Sequence, residues 1–396
     1  MALDRVDGLD RRRVLGMLAG VGAAGLTGGL SACTATPGTE APKSTVRLGL
    51  LVPATGANKA IGADLEKGFR LYLDMNGGKM SGHLIDLVVE DEGDTIASGT
   101  AALKALHEKN VAAITGVANP DLLPSIRDAI EKSQIPLLAA HGSSADMSSA
   151  VYIWRTAFIN NEPGRAVGLH LKSRPGGKKV GLIGLQDNFT KDVMAGLEKE
   201  HSNVTDPVWI AATTKPDQAN LRPKIDELLQ LSPDVIFCSL PTSYIVPFLQ
   251  ALRAAGGKQD VFAPGLVSET LPADQFKAAE GLYTATQYSS DLNNPSNRAF
   301  SAQFQSRHQG SPTSFAVAAY DAAAVLDGAI ALCGDDSISP LRINQEIPNV
   351  GQVISPRGNW QFNQGRSPQQ KWYLRQIRPD GPIWSNVLIG DLATLG

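Results

Sequence analysis

Side chains able to do chemistry are sparse in this chain, and they do not assemble into a reacting set. The six histidines, His83, His107, His141, His170, His201 and His308, are scattered without metal-ligand spacing. No G-x-S-x-G elbow, no G-x-G-x-x-G after a strand-like run and no G-x-x-x-x-G-K-[ST] is present, so neither an activated serine nor a phosphate cradle is on offer. What remains suits holding a ligand. His141, Ser143 and Ser144 share one loop, and Glu269 lies in another. Cys238 sits in an apolar run and Cys333 closes a helical stretch before Gly334; neither has the spacing of a metal site or redox pair, and a disulfide between them stays open. The expectation is a binder with no cofactor, no metal and no catalysis.

The remaining cysteine has a different context. Arg11-Arg12-Arg13 precede a Gly/Ala/Leu stretch that ends in Leu30-Ser31-Ala32-Cys33, the order of an export signal: charge, apolar run, small residues at a cut. Asp10 to Leu15 resembles a twin-arginine signal, and Leu-Ser-Ala-Cys resembles the lipobox of bacterial lipoproteins. Residues 1–32 are therefore expected to be removed and Cys33 to carry the lipid anchor on the outer face of the cytoplasmic membrane. Residues 33–44, rich in Thr, Pro, Ala and Gly without apolar periodicity, read as a flexible tether.

The body must position the candidate loops. At 396 residues, 43% apolar and 19% charged, the chain has enough material for two folded lobes. A net charge of −3 without a basic tract in the body gives no footprint for nucleic acid. From Val46 short apolar runs alternate with amphipathic helical patterns: Val46–Val52, Ile85–Glu90, Val111–Gly116 and Ile135–Ala139, then Lys179–Leu185, Val208–Ile210, Asp234–Ser239 and Val261–Phe262. Two such series predict an α/β fold with two mostly parallel sheets, each covered by helices on both faces. Ligands bind at strand carboxyl ends in such sheets. Here those ends are Pro53–Gly56, Glu90–Thr95, Gly116–Asp121, Ala139–Ser144, Gln186–Thr190, Leu240–Tyr244 and Pro264–Glu269.

Gly49-Leu-Leu-Val-Pro-Ala-Thr-Gly, Lys67-Gly68, Asn76-Gly-Gly78, Glu90-Asp91, His141-Gly-Ser-Ser144, Trp154-Arg-Thr156, Ala279-Glu-Gly281 and Ser314-Phe-Ala-Val-Ala-Ala-Tyr-Asp321 fall in an order that resembles the leucine/isoleucine/valine-binding proteins, over residues 45–390. The resemblance implies the type I periplasmic-binding architecture: two Rossmann-like lobes joined by a three-stranded hinge, with a solute trapped between them. It assigns residues 45–160 and 287–350 to one lobe, and 161–286 and 351–396 to the other. It implies a monomer that serves an ABC importer, with the membrane permease and ATPase as partners. Ser143 and Ser144 match positions that hold a ligand carboxylate, Ile61 an apolar residue over the ligand, Phe189 an aromatic of the second lobe, and Phe315 one near the hinge. Asn119, His141, Thr242 and Glu269, in the corresponding strand-end loops, complete the expected ligand-binding set.

The departures from that pattern bear on the ligand. A further carboxylate-binding serine falls on Pro120, which offers neither hydroxyl nor N–H, and the acid that pairs with a ligand amine falls on Gly265. The disulfide positions of the family are Gly93 and Asn119 here. Glu269 is the candidate substitute for the amine anchor. The expected solute is branched-chain amino acid-like, or a small carboxylate or amide with an apolar or aromatic body. A ligand-sensing or cell-envelope lipoprotein on the same scaffold is the alternative, and an α/β enzyme a more distant one.

Overall fold

The structure is a computed structural model that describes residues 43–174, 176–335 and 337–396. Cys33, the export signal and the tether up to residue 42 lie outside them. Lys43 and Ser44, placed in the tether by composition, belong to the first strand, where Lys43 pairs with Asp335 at 2.6 Å.

One sheet is built from β1 (Lys43–Val52), β2 (Lys79–Met80), β3 (His83–Asp91), β4 (Ala113–Gly116), β5 (Leu137–Ala139) and β6 (Ile153–Arg155), in the order β2-β3-β1-β4-β5-β6. All neighbours are parallel except the short edge strand β2. Between strands run α1 (Lys59–Met75), α2 (Ile96–Glu108) and α3 (Leu122–Ser133). Leu48, Leu50 and Leu51 are inaccessible, as expected of a strand covered on both faces. Helix α1 turns Leu65, Phe69 and Leu73 inward at a four-residue spacing, and Thr95 with Ser98 forms a capping box that starts α2.

The second sheet contains β7 (Val180–Leu185), β8 (Val208–Ile210), β9 (Val235–Ser239), β10 (Asp260–Pro264), β11 (Tyr283–Thr286), β12 (Gln361–Phe362) and β13 (Pro368–Asp380), in the order β12-β13-β11-β10-β9-β7-β8, with β14 (Ile383–Leu395) paired to β13. Its helices are α4 (Glu162–Lys172), α5 (Asn188–Glu200), α6 (Gln218–Gln230), α7 (Thr242–Ala254) and the single turn α8 (Leu266–Glu269). Asp187 and Asp217 cap α5 and α6 through the backbone N–H three residues on.

Helices α9 (Pro295–His308), α10 (Ser314–Cys333) and α11 (Pro340–Glu346) return to the first sheet. Helix α10 packs along α1 and reaches β4 and α11. Among the described residues it alone is long and apolar enough to cross a membrane, but it is mostly buried in the core. Gly68 lets the two helices meet, since a methyl there would overlap the Ala316 carbonyl. Cys238, on β9, and Cys333, at the end of α10, are both free and buried.

The parallel parts of the sheets, β3-β1-β4-β5-β6 and β8-β7-β9-β10-β11, share one strand order with the chain reversing direction beside the first strand of each series. That reversal opens a crevice between β1 and β4 in one lobe and between β7 and β9 in the other. The chain passes between lobes after β6, after β11 and before β12, which makes the three-stranded hinge. The crossings carry buried polar groups: Arg155, Thr156, Asn160, Glu162, Gln287 and Arg357 are each at most 4% exposed. Arg357 lies 2.9 Å from Asp321 of α10 and donates to the Thr156 carbonyl.

The β13–β14 hairpin has no counterpart in the strand runs read from the sequence. Its turn, Pro379-Asp380-Gly381-Pro382, is a recognisable turn signal. β14 is only half-buried along its length, so its apolar alternation is weak.

Candidate functional site

A cavity of about 190 Å³ lies between the two crevices. The first lobe contributes Asn58 and Ile61 after β1, Ala118 and Pro120 after β4, and His141 after β5. The second contributes Asp187, Phe189 and Thr190 after β7, Ser239, Leu240 and Pro241 after β9, and Leu266 after β10. A hollow of about 360 Å³ shares Pro120 and Phe189 with it and adds Ser144, Asn160 and Lys191. Five of the seven strand ends expected to face a ligand supply most of these positions, while Pro53–Gly56 and Glu90–Thr95 supply none.

His141 dominates the wall. Its side chain is buried, neither ring nitrogen has a hydrogen-bond partner of normal geometry beyond an approach to the Gly142 backbone, and its ring stacks on Phe315 at 5.4 Å between centroids and 14° between planes. Burial pushes its pKa down to about 4, so the ring is neutral at pH 7, with one N–H to donate and one nitrogen to accept. Such a buried orphan is costly, about 1–3 kcal/mol, unless something else meets it.

The charged residue on the wall is Asp187, whose Oδ1 accepts the Thr190 N–H at 2.7 Å. The Thr190 hydroxyl lies 3.2 Å from that of Ser239. Two helix starts reach the cavity without side-chain caps: α1 behind Asn58 and α7 behind Pro241. Their N–H groups favour negative charge or a carbonyl oxygen.

The predicted residues divide between this wall and its support. Ile61, His141 and Phe189 line the cavity, and Phe315 backs His141. Ser144 faces the adjoining hollow, and its hydroxyl accepts the Asp146 N–H to start a 3-10 turn. Ser143, 2% exposed, accepts Arg155 Nε at 2.6 Å, so its oxygen serves the hinge. The Thr242 hydroxyl meets that of Thr270 at 3.2 Å. Asn119 does not line the cavity; its N–H goes to the buried Glu92 and its side-chain oxygen accepts the Asp121 N–H.

Glu269 is committed elsewhere. Its Oε1 pairs with Arg375 Nη2 at 2.6 Å, both side chains nearly inaccessible, and its Oε2 accepts the Ser314 N–H at 2.9 Å at the start of α10. A ligand amine would have to displace an arginine.

Sequence reasoning missed Asn58, Asp187, Thr190, Ser239 and Leu240 as lining residues, although each lies in or next to a strand-end loop. It also missed Glu92, for which the sequence carries no signal of burial: Asp91 and Asp94 on either side of it are exposed.

A family model described as periplasmic binding protein matches residues 45–382, and the chain belongs to that family. Its members are described as binding proteins. Similar solved structures include a solute-binding protein of an ABC transporter from R. palustris in complex with benzoate, 24% identical, covering 88% of this chain and 97% of that one, with a TM-score of 0.78. The leucine-binding protein LivK of Thermotoga maritima is 17% identical over 88% of this chain and 99% of its own, with a TM-score of 0.77. LivJ of Streptococcus pneumoniae, in complex with isoleucine, is 15% identical over 87% and 99%, with a TM-score of 0.75. At these identities the structures share the fold. No curated protein matches the chain.

Proposed function

We propose that this protein captures a small solute between its lobes outside the cytoplasm and delivers it to the permease and ATPase of an ABC importer. The observation that carries the reading is the orphaned, buried His141 in an apolar cavity between two sheet crevices. A cavity of about 190 Å³ is smaller than the ~300–1,000 Å³ that holds drug-sized ligands, which favours a compact solute. Phe189, Ile61 and Leu266 suit an apolar or aromatic body, and the His141 N–H with the two uncapped helix starts suits a carboxylate or carbonyl oxygen.

With Glu269 consumed by Arg375 and Gly265 offering no charge, an α-amino group has little to pair with, and a buried ammonium without a partner is costly. Benzoate, bound by the R. palustris neighbour, has the matching chemistry. A second reading, an amino acid of the isoleucine kind bound by LivJ, is favoured by one feature: Asp187 stands on the wall with only one oxygen engaged. In this proposal Cys33 is the lipidated residue that tethers a monomeric body, and the lobes divide as residues 45–160 with 287–350 and 161–286 with 351–396.

Thermal shift with benzoate, 4-hydroxybenzoate, leucine and isoleucine tests the reading. A bound solute at about a hundred times its Kd stabilises by roughly 2.7 kcal/mol. Stabilisation by the aromatic acids and not by the amino acids is expected. The reverse order, lost in Asp187→Asn, would transfer the site to amino acids.

A further inference from the structure

The loop after β4 forms part of the cavity wall through Ala118 and Pro120, yet it offers a solute no hydrogen-bond donor there. The backbone N–H groups of Ala118 and Asn119 are already taken. Ala118 N donates to Glu92 Oε2 at 2.8 Å, and Asn119 N donates to Glu92 Oε1 at 2.6 Å. Glu92 itself is 0% exposed, and among the described residues no cation stands against it. Two successive backbone N–H groups converging on one carboxylate form the concavity by which main chains bind anions.

The loop's backbone gives a second, independent observation. Gly116 has φ +117° and Val117 has φ +63°. Gly116 can take that conformation, but a β-branched residue in the left-handed region is a true outlier. Such strain persists only where the surroundings over-determine it, and it gathers at ligand-binding segments. Here the surroundings are the Glu92 carboxylate on one side of the turn and the Val117 N–H to Leu51 carbonyl bond on the other.

We infer that loop 117–120 is a built anion seat occupied from within by the protein's own Glu92. The inference deepens the capture reading above and rests on it only for its consequence. With the seat filled, the loop presents a methyl group and a proline ring to the cavity, so the carboxylate of a captured solute is turned toward His141 on the neighbouring loop. Burial pushes the Glu92 pKa up to about 7 against the two N–H bonds that hold it down; at pH 8 the internal occupant is the carboxylate. The neighbouring acids have separate duties: Asp91 accepts the Ala54 and Gly93 N–H groups, and Asp94 accepts that of Ala57.

The test is chemical rescue at pH 8, read by thermal unfolding of the body. Glu92→Ala empties the seat and lowers Tm, and sodium formate should then restore much of the loss along a saturating curve. Sodium chloride at equal ionic strength and methylammonium chloride should not. The wild type should be flat to formate because its seat is full. Glu92→Gln should be flat as well, because its amide fills the space while placing an NH₂ against one of the donors. A folded Glu92→Ala protein indifferent to formate overturns the inference. If that variant is recovered unfolded, refolding yield with and without formate reads the same point, and an unchanged yield overturns it. Failure of the wild type to bind any tested solute would sink the capture reading and leave a positive formate result standing.

Discussion

Replacing His141 by leucine separates what the fold pays for this residue from what the site gains by it. The substitution keeps an apolar body against Phe315 and removes two orphaned nitrogens from a buried wall. Relieving them should stabilise the unliganded protein at pH 7.5 by about 1–3 kcal/mol. The pH dependence has a definite sign. The folded pKa, near 4, lies below the ordinary ~6.5 of histidine, so between these values the unfolded chain binds the proton and the native ring does not. The neutral ring therefore costs the fold nothing in proton linkage above pH 6.5, and stability is lost as pH falls toward 4, by about 3 kcal/mol in all. His141→Leu should lose that slope. Buried Glu92 and Glu162, both pushed up to about 7, titrate in both proteins and cancel in the difference. Urea denaturation from pH 7.5 to 4 measures it, and benzoate calorimetry at pH 7.5 should show a 5- to 150-fold weaker complex, the equivalent of about 1–3 kcal/mol. Parallel stability curves together with undiminished affinity would refute the assignment of His141 as the ligand's polar contact.

Three further outcomes follow from particular contacts. Glu269→Gln leaves Arg375 buried beside a neutral group and should destabilise by roughly 3–5 kcal/mol in urea titration; a near-neutral change would mean the pair is solvated and Glu269 is free for a ligand. Gly68→Ala should cost at least about 2 kcal/mol, because the added methyl meets the Ala316 carbonyl and α1 must lift from α10; circular dichroism melts would show it, and an unchanged Tm would mean the helices slide at no cost. Cys33→Ala should release the protein from the membrane fraction, with mass spectrometry of the wild type finding a diacylated Cys33 at the mature N-terminus; an unmodified N-terminus elsewhere would end the anchoring proposal.

The alternation of strands and helices was legible because parallel strands buried on both faces read as short apolar runs, as Val180–Leu185 and Val235–Ser239 do. The strand-end loops followed from that alternation, and they carry the cavity. Which side chain in a loop faces the ligand was not legible. Ser143 and Glu269 have the chemistry of ligand contacts, but each is consumed by an arginine distant in sequence or across a strand: Arg155 for one and Arg375, 106 residues on, for the other. Pairings of that kind are decided by tertiary approach, for which local spacing has no signature. His141 presents the opposite case. Its loop marked it as polar lining, and only the packing of Phe315 and the absence of any partner give it weight. The hairpin β13–β14 escaped because a half-exposed strand lacks the apolar density that marked the others.

The discontinuous first lobe has a consequence for how the molecule comes into being. All strands of its sheet have been made by Arg155, yet the helix that seals one face of it, α10, begins at Ser314. At a synthesis rate of ~5–20 residues per second, the roughly 160 intervening residues leave that face covered by α1 alone for about 8–30 s. Leu48, Leu50 and Phe69, which end in one core with Ala318, Ala319 and Ala322, spend that interval without those α10 partners. The nascent chain thus carries a sticky half-domain while the second lobe is still being completed, and any holdase that escorts it has to cover the α10 side of the first sheet.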